Sequence, residues 1–352
     1  MGSKKIYKPS QHRKVCLESC RCLMMATQEE AELCFPQLNS SCRKPTLHWS
    51  KAVLLKTVLS FISLVTVVLN LLIIISISQF RILHTTTNIL LLSLAVSDFL
   101  VGLLLMPGEI LRSTTCWFLG DVICSVYFYL GCQIVCASIG NIVLISVDRY
   151  VAICHPLYYA SRITLGRVKC CIGLCWLGAG FCSIFYMKDD LIQPGRSKSC
   201  FGECMLVLSY VTGTTDLILN FIFPVSIIIL LYMRVFVVAV SQARAIRSHI
   251  TAVTLHHSVN LATKRSELKA ARTLGVLIVV YLTCYCPYYT YFLVETNVTS
   301  IENASFLIYV FYFNSCLNPI IYALFYPWFR KAIKHIVTLQ ILQPGSCDAN
   351  LL

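Results

Sequence analysis

The run Asn314–Phe329, Asn-Ser-Cys-Leu-Asn-Pro-Ile-Ile-Tyr-Ala-Leu-Phe-Tyr-Pro-Trp-Phe, decides the fold of this 352-residue chain. It places Asn318, Pro319 and Tyr322 inside an otherwise apolar segment. A helix in lipid tolerates such residues only where neighbouring helices or trapped water satisfy the freed backbone groups. The run therefore predicts a membrane helix that packs against other helices.

The composition is that of a membrane protein. Hydrophobic residues make up 57% of the chain and charged residues 13%, and the mean hydropathy of +0.73 lies far outside the soluble range. Seven charge-poor segments are long enough for a helix to cross ~30 Å of hydrocarbon. Numbered as spans 1 to 7, they lie near 54–78, 88–108, 122–147, 169–187, 206–233, 272–294 and 305–326. We expect an all-α membrane protein with one domain and seven transmembrane helices.

The run at 314–329 has the form NSxxNPxxYxxxYxWF. It resembles the end of the seventh helix of rhodopsin-class G-protein-coupled receptors and, within that class, the fingerprint of the trace amine-associated receptors. The resemblance covers nearly everything from Cys34 to the carboxyl terminus. It implies a plasma-membrane receptor with an extracellular amino terminus, a chemosensory (olfactory) role, a small amine ligand and a heterotrimeric G protein of the cAMP-raising type as partner.

Lys and Arg residues near the span ends set the orientation of a membrane protein. With the amino terminus outside, 15 of the 29 lie inside, which is hardly an asymmetry, but six of the outer 14 fall within residues 1–23. We therefore interpret 1–23 as an upstream extension, with translation starting at Met24 or Met25. The remaining expected regions are an extracellular tail at 24–52, the receptor domain at 53–328, and an amphipathic helix with the cytoplasmic tail at 329–352.

The chain has 20 cysteines, and those in the spans are expected to behave as small hydrophobes. The resemblance assigns outward-facing cysteines to disulfides in an oxidising compartment; these are Cys34, Cys42, Cys116, Cys124, Cys200 and Cys204. Cys124 and Cys204 match the bridge found throughout the receptor class. Cys200 matches a second loop cysteine that ties down the amino-terminal tail. We favour Cys34–Cys200 and Cys42–Cys116, although sequence alone does not fix the connectivity.

Three Asn-X-Ser/Thr sequons, at Asn39, Asn297 and Asn303, are candidate glycosylation sites. All three fall on the outer side, which supports the orientation. On the inner side, the segment after Phe329 alternates basic and apolar residues at helical spacing, which predicts a short amphipathic helix on the inner leaflet. Cys347, beyond this helix, is a candidate palmitoylation site.

The inner ends of the spans carry a candidate signalling switch. Asp148-Arg149-Tyr150 closes span 3, and a charged triplet at a membrane boundary is by itself compatible with plain snorkelling. The resemblance implies instead that Arg149 pairs at rest with Glu267, which opens span 6, and is freed when span 6 swings outward. The other residues that match the switch are Tyr232, Pro319 and Tyr322.

Asp98 lies mid-membrane in span 2, where an acid costs at least ~2.5 kcal/mol and is functional by default. Ser138, Asn314, Ser315 and Asn318 fall where the receptor class builds a sodium pocket around such an acid. Oxygen ligands with one carboxylate suit a hard cation. We expect an allosteric sodium ion and no other cofactor; the alternative is a purely hydrogen-bonded structural Asp98.

The usual amine anchor of this receptor class is missing. The resemblance places an Asp on span 3, 18 residues before Arg149, and this chain has Gly131 there. Asp216 in span 5 lies eight residues before Pro224, or ~12 Å further outward along the helix. Some fish members of the family lack the span 3 acid and carry a span 5 acid, and the chain resembles that subset. Asp216 is therefore the candidate counter-ion for an ammonium; the alternative is a structural Asp that caps the start of span 5 or bonds to Thr212 or Thr215.

The remaining candidate pocket is aromatic, and aromatic faces attract an ammonium by ~0.5–2 kcal/mol. Its members are Tyr127, Tyr285, Tyr288, Tyr289, Phe292 and Tyr312. Asn220, one turn below Asp216, is a candidate contact for a polar ligand tail. Tyr285 replaces the tryptophan that the receptor class uses as a toggle. Glu109, near the outer end of span 2, is the best candidate for a second acid, and we favour a monoamine over a diamine.

Three alternative functions differ in the residues or symmetry that they require. A rhodopsin-class receptor for a small ligand that is not an amine is the main alternative, because Gly131 removes the usual anchor. A retinal protein needs a lysine in span 7, and 305–326 contains none. A transporter is expected to show two-fold hydropathy symmetry, which is absent from this sequence. Nothing in the sequence indicates an enzyme or a nucleic-acid partner, and the basic inner face suits anionic lipids.

Overall fold

The computed structural model describes residues 32–38, 40–44, 49–196, 198–206, 209–250, 275–291, 293 and 301–343. Within these ranges six helices are long and apolar enough to cross a membrane, and 275–291 forms the seventh helical span. The uninterrupted spans are Trp49–Gln79, Asp121–Cys154, Leu165–Ile192, 275–291 and Ile301–Phe325, which are spans 1, 3, 4, 6 and 7. The structure confirms the seven-helix membrane bundle. We call the end that carries the disulfides the outer end and the end that carries Arg149 the inner end.

Spans 2 and 5 each contain a wide π-helical turn just before a proline. Span 2 runs as Thr86–Leu100, the π-helical turn Val101–Leu105, and Met106–Thr114. Span 5 runs as Tyr210–Leu217, the π-helical turn Ile218–Ile222, and Phe223–Ile250. A π-helical turn holds an extra residue, so everything outward of it faces a different direction than in a straight helix. Glu109 and Asp216 both lie outward of such turns.

Short helical segments complete the described chain: Arg81–Leu83, Pro156–Arg162, Pro327–Val337 and Gln340–Leu342. Pro327–Val337 is the expected amphipathic helix, although it begins at Pro327 and contains Phe329 rather than following it. Trp328, Phe329 and Ala332 are buried on one face, whereas Arg330 and Lys331 are exposed. The Arg330 guanidinium donates to the carbonyl oxygens of Ala323 (2.9 Å) and Leu324 (3.0 Å), which caps the end of span 7.

The distribution of side chains fits a bilayer as the solvent. Large apolar residues stand exposed on the outside of the bundle, such as Phe61 (65%), Phe181 (72%) and Leu230 (67%). Polar residues, including Asn70 and Asp98, are completely buried between the helices. Lipid accepts the apolar exterior, and only protein or trapped water can satisfy the polar interior.

Two disulfide bonds join the amino-terminal tail to the outer loops, and their pairing differs from the one that we favoured. The bridges are Cys34–Cys116, Cys42–Cys200 and Cys124–Cys204. The third bridge was expected; the expectation of Cys34–Cys200 and Cys42–Cys116 was wrong.

Backbone pairing explains the correction. The Cys42 N–H donates to the Phe201 carbonyl (2.8 Å), and the Phe201 N–H donates to the Ser40 carbonyl (2.9 Å), which sets Cys42 directly beside Cys200. Cys34 packs against Gly202, whose φ of +100° places it in the left-handed region. Trp117 N–H donates to the Gly202 carbonyl (2.8 Å), which brings the neighbouring Cys116 to Cys34.

Span 3 is longer at its inner end than the sequence predicted. Span 3 continues to Cys154, so the triplet 148–150 lies within the helix rather than closing it.

Several expectations lie outside the described residues or side chains: the extension 1–23, Asn39, Glu267, Phe292, Asn297, Asn303 and Cys347.

Candidate ligand-binding site

Asp216 lies in the second turn of span 5, not at its start. Ser209 precedes the helix and caps it, since its hydroxyl oxygen accepts from the Thr212 N–H (3.2 Å). The Thr212 and Thr215 hydroxyls donate to backbone carbonyls of the preceding turn, at Ser209 (2.9 Å) and Val211 (2.7 Å). The capping and threonine-bonding roles considered for a structural Asp216 are thus filled by other groups.

The Asp216 carboxylate is held by neutral donors. The side-chain N–H of Asn220 donates to Asp216 Oδ1 at 2.7 Å and also lies 3.4 Å from the Tyr186 hydroxyl. Tyr289 lies beside the same carboxylate. None of the ion pairs among the described residues includes Asp216. Asp216 is half-buried, and a carboxylate that is partly withdrawn from water without an ionic partner is stabilised by a bound cation or by a proton.

An aromatic cluster extends from Asp216 to span 7. Tyr289 stacks on Phe221 with ring centroids 4.6 Å apart and 19° between the planes. Tyr288 meets Tyr289 edge-on at 5.1 Å. Phe311 lies 5.1 Å from Tyr288 and 5.9 Å from Tyr312, so it joins spans 6 and 7. The expected pocket residues Tyr288, Tyr289 and Tyr312 are thus brought together.

Tyr285 forms the floor of this cluster. It is 3% exposed and lies between Tyr281 and Phe311, with centroid distances of 4.2 and 4.0 Å. Sequence reasoning missed Phe311 and Phe221, although each directly neighbours a residue it singled out. The spans are apolar on every face, so their periodicity does not separate inward from outward positions.

Glu109 has an ionic partner inside the protein that sequence reasoning missed. Arg112, one turn later on span 2, donates from Nη2 to Oε1 (2.6 Å) and from Nε to Oε2 (2.9 Å). The Tyr127 hydroxyl lies 3.4 Å from Glu109 Oε2 and 3.2 Å from the Leu105 carbonyl. The only available signal was the i, i+3 spacing of opposite charges, which is common on helices.

Asp98 is the centre of a buried polar cluster in the middle of the bundle. Asn318 Nδ2 donates to Asp98 Oδ2 at 2.8 Å, and Ser138 and Ser315 lie beside the carboxyl group. Asp98 Oδ1, the Ser138 hydroxyl and both side-chain atoms of Asn314 have no hydrogen-bond partner among the described residues. Buried polar atoms left in this way usually mark water or an ion. The donor set, a carboxylate with hydroxyl and amide oxygens, fits a sodium ion with water.

The inner end of span 3 holds Arg149 in place. Arg149 pairs with Asp148 (Nη2 to Oδ2, 2.6 Å) and contacts the Thr87 hydroxyl. Asp148 also accepts from the hydroxyls of Thr87 (2.9 Å) and Tyr159 (2.8 Å). Of the other expected switch residues, Tyr322 is buried in span 7, Tyr150 lies edge-on to His155 at 5.6 Å, and Tyr232 is half-buried in span 5.

Comparison with known proteins identifies the class. Residues 69–322 match the protein family described as 7 transmembrane receptor (rhodopsin family). The protein is therefore a multi-pass receptor of the plasma membrane and not an enzyme. Over 337 residues the chain is 37% identical to trace amine-associated receptor 13c of Danio rerio, covering 92% of this chain and 97% of the relative. Trace amine-associated receptor 5 of Rattus norvegicus is also 37% identical, over 92% of this chain and 96% of its own. Trace amine-associated receptor 6 of Homo sapiens is 36% identical, over 91% and 95%. The chain belongs to the trace amine-associated receptor family.

Proposed function

We propose that this receptor senses small volatile or water-borne amines and that Asp216 binds the ligand's ammonium. The observation that carries the proposal is the Asp216 carboxylate, held at 2.7 Å by the neutral amide of Asn220 and without an ion-pair partner among the described residues. The names of the similar receptors support the same ligand class.

The surroundings of Asp216 favour an ammonium over other small ligands. Removing a carboxylate from water is costly unless a cation pairs with it, and an alkylammonium brings both the charge and an apolar chain. Tyr288, Tyr289 and Phe311 provide ring faces and edges on one side of the site. Cation–π attraction to such rings adds ~0.5–2 kcal/mol. In this proposal the ammonium lies at Asp216 and the alkyl chain packs along the aromatic cluster.

We propose that ligand binding changes the packing of spans 5, 6 and 7 and that this change extends to the inner end. There the receptor activates a heterotrimeric G protein of the cAMP-raising type, and its role is chemosensory. Arg149 forms an ion pair with Asp148, and Thr87 and Tyr159 bond to the pair. These contacts support a resting state in which Arg149 is held within the receptor and is not available to a G protein. A ligand shifts such a two-state element only by binding one state more tightly than the other.

A rhodopsin-class receptor for a small ligand that is not an amine is the second candidate. It is favoured by Gly131 alone, because span 3 offers no acid at the position where the receptor class usually places one. The two candidates differ in whether the negative charge of Asp216 is needed for the response.

The experiment is a cAMP reporter assay with a panel of small amines on the wild type and Asp216→Asn, at matched surface expression. Losing one member of a buried charge pair costs about 2–5 kcal/mol, so we expect the half-maximal amine concentration to rise at least ~30-fold in Asp216→Asn. Asp189→Asn, which changes an exposed carboxylate at the outer end, is the control and should respond like the wild type. An undiminished amine response in Asp216→Asn, or no response of well-expressed wild type to any amine, contradicts the proposal.

We further propose that sodium binds at Asp98, with Ser138, Asn314, Ser315 and Asn318 around it, and stabilises the resting state. Agonist affinity should then be lower in sodium chloride than in N-methylglucamine chloride of equal ionic strength. Asp98→Asn removes the only carboxylate of the cluster and should abolish the difference. The measurement is agonist competition binding in membranes. A sodium effect that persists in Asp98→Asn would place the ion elsewhere.

A further inference from the structure

Glu109 and Arg112 form a buried, bidentate ion pair beside the proposed ligand site. Glu109 is 1% exposed, and its side chain and that of Arg112 are 2% and 10% exposed. Both carboxylate oxygens of Glu109 accept from the guanidinium, at 2.6 and 2.9 Å. The remaining Arg112 donors point to the Cys204 carbonyl and the Ser305 hydroxyl, each at 3.5 Å. The pair is thus connected to the second outer loop and to span 7.

The same aromatic cluster borders Glu109 and Asp216. Tyr288 contacts Tyr289 and Phe311, each with ring centroids 5.1 Å apart, and Phe311 contacts Tyr312 at 5.9 Å. Tyr312 and Tyr127 both pack against the buried cluster of span 2 that contains Leu105, and the Tyr127 hydroxyl lies 3.4 Å from Glu109 Oε2. The site therefore has two acids on one aromatic wall: Asp216 has no cationic partner among the described residues, and Glu109 is neutralised by a side chain of its own helix.

We propose that Arg112 is a specificity-determining residue: it occupies the position of a ligand's second ammonium on Glu109 and makes the receptor selective for monoamines over diamines. The proposal rests on the proposed function, in which Asp216 binds the first ammonium. Without Arg112, Glu109 becomes a second cation site.

The physical reason is the competition between a tethered and a free cation. Arg112 is three residues from Glu109 and is always charged, and a bidentate guanidinium–carboxylate pair is geometrically specific. A primary ammonium would have to displace it with a single point charge. The displaced guanidinium would remain largely buried without its carboxylate, which is strongly unfavourable. A diamine therefore gains little from its second charge and must still desolvate it.

The test uses linear alkylamines and the matching 1,ω-diaminoalkanes in the cAMP assay, on full-length receptor at the cell surface. The quantity measured is the ratio of diamine to monoamine potency, which is independent of expression level. In the wild type we expect the diamine to be at least ~10-fold weaker than the monoamine of equal length; in Arg112→Gln we expect the ratio to rise at least ~10-fold. The double variant Glu109→Gln/Arg112→Gln should return the ratio to that of the wild type. Arg196→Gln, which breaks an exposed pair with Asp189, is the control.

The outcomes separate this inference from the proposed function. A wild type that answers monoamines through Asp216, with an unchanged ratio in Arg112→Gln, overturns the role of Arg112 and leaves the proposed function standing. A wild type that responds equally to both amine classes overturns it as well, and this measurement does not depend on whether Arg112→Gln reaches the surface. A gain of diamine potency that persists in the double variant assigns the second cation site to a residue other than Glu109. Failure of all amines on every receptor overturns both proposals.

Discussion

At the scale of single residues, two acids near the outer end differ in the side chains that bond to them. Asp216 and Glu109 are both acids just outward of a π-helical turn, yet their partners differ. An amide holds Asp216, so its charge remains available to a ligand, whereas a guanidinium neutralises Glu109. Amide donors fix the orientation of a carboxylate without cancelling its charge.

Asn220→Leu is the prediction at this scale. The substitution keeps the approximate volume and removes the donor that orients Asp216, and a hydrogen bond to a charged group contributes about 1.5–3 kcal/mol. We expect the half-maximal amine concentration in the cAMP assay to rise ~10-fold or more. Ser226→Ala serves as the control, because that exposed hydroxyl bonds the Ile222 carbonyl of its own helix (2.7 Å) and has no other hydrogen bond within the described part of the chain. Unchanged potency in Asn220→Leu would show that Asp216 is positioned by other contacts.

At the scale of helices, each proline in spans 2 and 7 depends on a neighbouring span. Pro319 has no N–H, so the Ser315 carbonyl one turn earlier lacks its usual partner. Asn70 of span 1 donates to that carbonyl at 3.0 Å. In span 2, before Pro107, the Ser63 hydroxyl donates to the Gly102 carbonyl at 2.7 Å. The breaks in the helices are therefore satisfied by span 1, as the sequence required of a proline-containing helix in lipid.

Asn70→Leu tests this arrangement. It leaves the Ser315 carbonyl buried without its donor, and an unsatisfied buried group costs about 1–3 kcal/mol. We expect a lower thermal unfolding midpoint in detergent than for wild type. Thr57→Val, which removes an exposed hydroxyl that bonds the Val53 carbonyl within the same helix (2.8 Å), should leave the midpoint nearly unchanged. Equal midpoints for Asn70→Leu and Thr57→Val would mean that water satisfies the carbonyl as well as Asn70 does.

At the scale of the whole molecule, the amino-terminal tail is a structural part of the outer end. Cys34–Cys116 ties it to the loop between spans 2 and 3, and Cys42–Cys200 ties it to the loop between spans 4 and 5. The joined residues are 82 and 158 positions apart, and cross-links over long loops restrict the unfolded chain most. The tail thus holds the two loops that border the outer mouth of the bundle.

Peptide mapping under non-reducing conditions checks the connectivity. It should recover Cys34 with Cys116 and Cys42 with Cys200. In Cys42→Ser the thiol of Cys200 should become available to alkylation, because the backbone pairing at Phe201 leaves it no other cysteine, while Cys116 stays protected by Cys34. Recovery of a Cys42–Cys116 peptide from the wild type would contradict this arrangement.

The spans, the amphipathic helix after span 7 and the functional importance of Asp98 follow from the sequence, because hydropathy and buried charge are properties of local segments in lipid. The neighbours of Asp98 were expected only from the resemblance to the receptor family. The connectivity of the tail, the π-helical turns of spans 2 and 5, the partner of Glu109 and the central place of Phe311 did not follow from the sequence. These were decided by the tertiary structure, because they depend on which atoms of distant segments meet, and apolar spans carry no periodicity that says which face turns inward.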